Sequence, residues 1–305
     1  MSTIDTWSAP DKGRESDLAT DMQLCDMVRG SGYGASKAAG ERFVLAAACR
    51  GVPACIVRPG FIGGHSSSGH SNPSDFIHRY LAACVWMECA IARGPQQGWS
   101  WEQTPVDFMA RSCIVLADAD APGQGLDCPC FHVSNQRGTI GVAGIAAGIR
   151  ELSGYEHVED VDYATFRERL LTDCGEQFSK HGGSSDHGGT SGESRPGARR
   201  RANPLHTLLH MFRPESCGLF QGGHGRTEMG DEALSRAGLM PPQVTPGMIA
   251  AAVQSLARRG YIEQPLVAPR SPEPSTAGIM ASGSFGSVQD PALAHAGSAS
   301  AGTTS

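Results

Sequence analysis

The sequence predicts an α/β fold built on a parallel sheet, and an incomplete one. Three observations lead there. Helical and strand-like periods alternate through the first half of the chain. Only two short runs read as buried strands, whereas a complete doubly wound sheet needs about six. The second half is broken by Gly- and Ser-rich stretches that have no period at all.

The elements follow in order. Residues 1–32 are polar and irregular. Residues 36–50 form a helix, with small and apolar side chains at helical spacing and Gly51 as the stop. Residues 52–57 are a buried strand closed by Arg58-Pro59-Gly60. A Gly/Ser/His-rich loop fills 61–74, and Ser74 caps a second helix over 75–91. Thr104-Pro105-Val106-Asp107 opens a third helix reaching about residue 117. Residues 130–134 alternate as a strand. Residues 140–152 are helical, and so are 162–171, with Tyr163, Phe166 and Leu170 on one face. The composition then shifts. Residues 174–202 lack the apolar surface to offset their ordering entropy and are expected to be a disordered insert. Order resumes at 203–212 and 245–261. The expected division is a catalytic and substrate part at 1–172, the insert, a helical extension at 203–263 and a disordered tail at 264–305.

Composition narrows the function. The 305 residues are 40% apolar and 6% aromatic, with 39 Gly and 19 Pro, which fits a packed part diluted by unpacked parts. A net charge of -6 gives no reason to expect nucleic acid or an anionic membrane as partner. No apolar run approaches the roughly 18 residues of a membrane span. Residues 1–10 lack a basic and an apolar region, so a reducing cytoplasm is expected, with the ten cysteines as free thiols. Cys128-Pro129-Cys130-Phe131-His132 has no second ligand pair at zinc spacing and reads as a strand entry rather than a metal site. His206 and His210 lack a third ligand, and Arg199-Arg200-Arg201 reads as a solvated charge run.

The chemistry centres on Tyr33 and Lys37 in Gly32-Tyr33-Gly34-Ala35-Ser36-Lys37. Spaced i, i+4 at a helix start, they share one face. A free phenol has a pKa near 10, and an adjacent ammonium favours the phenolate. The pair can therefore protonate a carbonyl oxygen as a hydride reaches its carbon.

The spacing alone is a loose pattern, but its neighbours are ordered. Gly32 to Arg42 runs into a helix, then a strand, then Val57-Arg58-Pro59-Gly60-Phe61-Ile62-Gly63-Gly64. Ser2-Thr3-Ile4-Asp5-Thr6, His65-Ser66-Ser67-Ser68-Gly69, Asn72-Pro73-Ser74-Asp75-Phe76, Pro105-Val106-Asp107-Phe108-Met109-Ala110-Arg111 and Asn203-Pro204-Leu205-His206-Thr207-Leu208-Leu209-His210 complete the set. Together they resemble the extended short-chain dehydrogenases, and within them the thioester reductase domains. The resemblance covers residues 1–171 well and 203–263 loosely. It implies the C-terminal half of a Rossmann-like parallel-sheet domain, with a helical substrate-side subdomain and an incomplete sheet. It further implies NADPH as cofactor and reductive release of an acyl thioester, as an aldehyde, from a phosphopantetheinylated carrier protein. Tyr33 would be the proton donor and Lys37 its electrostatic partner and ribose ligand. Pro59, Gly60, Phe61 and Ile62 would line the nicotinamide. Thr3, or its neighbour Ser2, would stand near the hydroxyl that hydrogen-bonds the oxyanion. His65 and His70 lie in a loop that the family uses near substrate.

One part of the family pattern is missing. The strand and Gly-x-Gly-x-x-Gly turn that set a pyrophosphate on a helix N-terminus do not occur in this sequence. Gly30-Ser31-Gly32-Tyr33-Gly34 follows a poor strand and reads as the loop entering the Tyr33 helix. The isolated chain is therefore expected to be inactive. The alternative is a non-catalytic module that binds a carrier protein or another partner.

Overall fold

Two buried parallel strands form the centre of the fold. Ile56–Pro59 pairs with Cys130–Val133 in the register Ile56 to Cys130 and Pro59 to Val133, and every residue of both is buried. Strands covered on both faces are largely apolar, and Arg58 and His132 are the polar exceptions in this pair. The computed structural model describes residues 1–4, 32–118, 128–181, 202–217, 220 and 226–266.

In chain order the elements are α1 (Gly32–Ala48), β1 (Ile56–Pro59), β2 (Ile62–Gly63), α2 (Phe76–Trp86), β3 (Cys89–Ile91), β4 (Ser100–Trp101), β5 (Thr104–Pro105), α3 (Val106–Asp118), β6 (Cys130–Val133), β7 (Ile140–Gly141), α4 (Val142–Arg150), β8 (Glu159–Val161), α5 (Tyr163–His181), α6 (Glu228–Arg236) and α7 (Pro246–Arg258). β2 pairs with β5 and β3 with β8, both parallel, while β4 and β7 are antiparallel. The fold is thus mixed α/β with short parallel pairs. Residues 1–4 lie alongside β1, where the Ser2 amide donates to Val57 O at 2.8 Å.

Several expectations are corrected. The helix expected over 75–91 ends at Trp86, and Cys89–Ile91 is a buried strand. Its N-cap is Asp75, whose carboxylate accepts from the Ile77 amide, rather than Ser74. The chain turns at Met87 and Glu88, the latter at φ 54, with no glycine to signal it. Residues 174–181, expected to belong to the insert, are instead the last turns of α5, with good helix formers such as Glu176, Gln177 and Lys180 in their sequence. The rest of the insert, 182–201, and the tail from 267 lie outside the described residues. Residues 206–211 form a 3-10 helix, so His206 and His210 do not share a face as in an α-helix. Helix α6 was not expected; its sequence is mostly polar and buries only Gly230 and Leu234.

The main core lies between α2, α4, α5 and α7. Ile77, Tyr80, Leu81, Cys84, Ile145, Ile149, Phe166, Leu170, Ile249, Val253 and Leu256 all belong to it. Tyr80 packs against Trp101, Phe166 and Phe220 at centroid distances of 5.5–5.8 Å. Phe212 meets Phe76 and Phe166. These rings fasten the segment after residue 202 to the first half of the chain.

Two glycines permit close approach. At Gly148 a Cβ would lie 2.7 Å from Pro246 O, where α4 crosses α7. Gly69 adopts φ +65, and a Cβ there would meet Ala251 O at 2.0 Å. Replacing Gly69 with Ala is expected to lower the melting temperature by several degrees, through strain at positive φ and collision with the α7 backbone. A scanning calorimetry trace unchanged by the substitution would contradict this.

Candidate active site

Helix α1 carries the expected proton donor and its partner. Tyr33 is 56% exposed, and Lys37 is half-buried one turn later. The Lys37 ammonium stands 5.7 Å from the centroid of the Tyr33 ring, within reach of a cation–π contact. The Ser36 hydroxyl donates to Tyr33 O at 2.7 Å. The i, i+4 spacing thus brings the two side chains together, as the helix period requires.

Pro59 ends β1, and Gly60, Phe61 and Ile62 follow it across to β2. This crossing is fixed by its backbone. The Gly60 amide donates to Val133 O at 2.9 Å, and Phe61 O accepts from the Thr104 amide at 2.7 Å. The buried Glu102 carboxylate fills the space beside Gly60, where a Cβ would lie 2.2 Å from Oε1. Glu102 Oε1 also accepts from the Asn135 amide at 3.1 Å. Thr3 is buried in the segment alongside β1. The residues expected at the site therefore hang on two supports, α1 and the β1 frame.

A buried polar chain joins those supports, and sequence reasoning missed it. Glu41 lies on α1 one turn beyond Lys37, and Arg58 lies in β1 just before Pro59. The Arg58 guanidinium is fully buried and bidentate on Glu41, Nε to Oε1 at 2.7 Å and the second bond at 2.5 Å. Arg58 is directly opposite His132 in the β1–β6 register. His132 Nδ1 lies 2.7 Å from Arg226 O, and Nε2 lies 3.4 Å from the Arg58 guanidinium. A carbonyl only accepts, so Nδ1 carries the proton and Nε2 is the acceptor. Burial, then the Arg58 charge, push the His132 pKa down to about 4. The Gly32–Gly64 motif contains Glu41 and Arg58, but nothing in the spacing of a helix residue and a strand residue announces that they meet.

The loop between β2 and α2 is tied to α3. The Ser66 amide and hydroxyl both donate to Asp107, each at 2.8 Å. Burial opposes ionisation of Asp107, but those two bonds outweigh it and hold the carboxyl below its usual value. His65 Nδ1 turns inward on the same loop, accepting from the Ser67 and Ser68 amides. Beyond the C-terminal end of β6 lies a cavity of about 590 Å³, whose walls include Ser134, Arg137, Arg226 and Asp231. None of Thr3, Tyr33, Lys37, Pro59, Gly60, Phe61 or Ile62 lines it.

A parallel-strand centre flanked by helices defines a Rossmann-like α/β fold. The same fold is found in the terminal R domain from the myxalamid PKS-NRPS biosynthetic pathway. The TM-score is 0.60 at 22% identity, over 87% of this chain and 59% of that one. It also recurs in the reductase domain of a nonribosomal peptide synthetase from Mycobacterium tuberculosis, with TM-score 0.63 and 21% identity over 86% and 60%. Residues 5–113 match the NAD-binding family described as male sterility protein. The chain is 34% identical over 126 residues to the glycine betaine reductase ATRR of Emericella nidulans, covering 41% of this chain and 9% of the relative. It is 34% identical over 167 residues to the L-2-aminoadipate reductase large subunit of Penicillium chrysogenum, covering 54% and 11%. Over these stretches the chain is similar in sequence to aminoadipate reductases and in fold to terminal reductase domains. It spans about a tenth of the length of those two relatives. Among the described residues no helix is long and apolar enough to cross a membrane.

Proposed function

We propose that this chain supplies the proton-transfer and substrate side of an NADPH-dependent reductase that releases a carrier-bound acyl thioester as an aldehyde. The observation that carries the proposal is the Lys37 ammonium held over the Tyr33 ring on an exposed helix face. NADPH, when bound, supplies the hydride to the thioester carbonyl carbon. Tyr33 donates its phenolic proton to the carbonyl oxygen as charge builds there, and Lys37 stabilises the phenolate left behind. The Thr3 hydroxyl donates a hydrogen bond to the same oxygen. The hemithioacetal then returns its hydroxyl proton to the Tyr33 phenolate and expels the pantetheine thiolate, leaving the aldehyde.

The residues present fit one end of the cofactor. The Lys37 ammonium can reach ribose hydroxyls, and the backbone from Pro59 to Ile62 offers a fixed ledge for the nicotinamide. The Gly-x-Gly-x-x-Gly turn that holds a pyrophosphate does not occur in the sequence. The carrier protein as partner rests on the resemblance, one solved structure of similar fold being a thiolation-reductase di-domain. The domain division at 1–172 and 203–263 belongs to the same reading.

The test joins the chain to the Gly-rich cofactor-binding unit of an aminoadipate reductase and follows NADPH oxidation with an acyl-pantetheine thioester. The 305-residue chain alone is expected to show no turnover. The joined protein is expected to turn over, and Tyr33→Phe to slow it about a hundredfold or more. Turnover by the chain alone, or full activity of the Tyr33→Phe protein, would overturn the assignment. Carrier-protein binding without turnover in the joined protein would favour a non-catalytic binding module.

A further inference from the structure

A second cavity, of about 540 Å³, opens between the C-terminal end of α2, the turn around Tyr155 and the segment that follows α7. Its walls hold four aromatic rings, those of Trp86, Tyr155, His157 and Tyr261. Glu88 and Glu263 add two carboxylates, and among the described residues no lysine or arginine lines it. Trp86 is 43% exposed and Tyr261 45%, so both rings can be reached from solvent.

The walls are held in place. The Trp86 indole N–H donates to Asp173 Oδ2 at 3.1 Å, and the same oxygen accepts from the Asn203 side chain at 2.8 Å. Tyr155 is buried and donates its hydroxyl to Glu263 O, which ties that residue to the cavity wall. Glu88 sits at φ 54, a conformation that favours glycine, so a carboxylate occupies a position where the backbone would prefer no side chain. Tyr261 already accepts one cation, the Arg259 guanidinium 5.0 Å from its centroid, and Arg259 is anchored in turn on Ser71 O at 2.7 Å.

We propose that this cavity binds a small organic cation, an alkylammonium group seated among the Trp86, Tyr155 and Tyr261 rings and balanced by Glu88 and Glu263. Aromatic faces attract such a group through their quadrupoles, and the attraction grows as water is excluded. An uncharged apolar guest would gain from the rings but not from the carboxylates. An anion would meet two like charges, with no lysine or arginine on the described walls. None of these residues lies on α1 or in the β1–β2 crossing, so the inference stands apart from the proposed reduction.

The test titrates the purified 305-residue chain with tetramethylammonium and follows the Trp86 indole N–H resonance. tert-Butanol, similar in shape but uncharged, is the control, with sodium chloride matched for ionic strength. A saturable shift is expected with tetramethylammonium and none with tert-butanol. Two variants read the two contributions. Glu88→Gln with Glu263→Gln removes the charges, and Tyr261→Leu removes one exposed ring; each is expected to weaken binding roughly tenfold. Circular dichroism on both variants checks that the fold is retained. No saturable shift, an equal shift with tert-butanol, or unchanged affinity in the glutamine variant would each overturn the proposal.

Discussion

Replacing Arg58 with Met is expected to destabilise the chain by about 3–5 kcal/mol, the cost of leaving one partner of a buried ion pair uncompensated. The guanidinium is fully buried and makes both its short bonds to Glu41 inside the fold. Without it, the Glu41 carboxylate keeps its burial and loses its counter-ion, and His132 Nε2 loses the donor 3.4 Å away. The double variant Arg58→Met with Glu41→Leu is expected to recover much of the loss, because two apolar side chains of similar volume carry no desolvation penalty. Urea unfolding of the wild type, both single variants and the double variant gives the coupling directly. A single-variant loss below about 1 kcal/mol would show that the pair is solvated in solution and does not anchor α1 to β1.

Acidification is expected to unfold the chain well above the carboxylate range, through two histidines. His78 and His132 are each 1% exposed. Burial and then a neighbouring arginine, Arg259 for His78 and Arg58 for His132, push both pKa values down to about 4. Neither ring nitrogen of His78 has a hydrogen-bond partner, and Asp75 Oδ1, 3.9 Å from Nδ1, is beyond bonding distance. The unfolded chain binds these protons near pH 6.5, whereas the folded chain resists them until about pH 4. Stability is therefore fully present above pH 6.5 and falls as the pH drops from 6.5 towards 4, by roughly 3 kcal/mol for each histidine. His78→Leu is expected to remove about half of that pH dependence while keeping stability at pH 7, since the ring makes no polar contact. Thermal unfolding between pH 7 and 4 measures it, and a flat profile in the wild type would contradict the account.

The residues that could be read from sequence are those whose geometry is set by one element. Tyr33 and Lys37 share a face because a helix has its period. Strand β6 was legible because Cys130 to Ser134 alternates after Pro129. Strand β3 was not, because it continues the apolar run of α2. Burial on all sides removes the amphipathic period that would separate helix from strand. The break falls at Met87 and Glu88, where a glycine would have marked it. Two-residue strands such as β2 and β5 have no period to read. The Glu41–Arg58–His132 chain depends on three elements meeting, and tertiary contact leaves no local mark in sequence. The main core was legible in part: Tyr163, Phe166 and Leu170 face inward as spaced, whereas Phe212, which meets Phe166, and Phe220, which meets Tyr80, lie in a segment of little regularity.

The contact between Gly69 and α7 bears on how such a protein can be recombined. The loop at 65–71 rests its backbone on Ala251, while Arg258 and Arg259 reach back to Ser68 O and Ser71 O. Arg79 spans the same seam, donating to Pro204 O and Thr207 Oγ1. Residues from the start of the loop to the end of α7 therefore behave as one inheritable block. A chimera with a crossover point inside 65–258 would pair a loop from one parent with a helix from the other, at a junction with no room for a methyl group. A crossover on either side of that block leaves this junction intact.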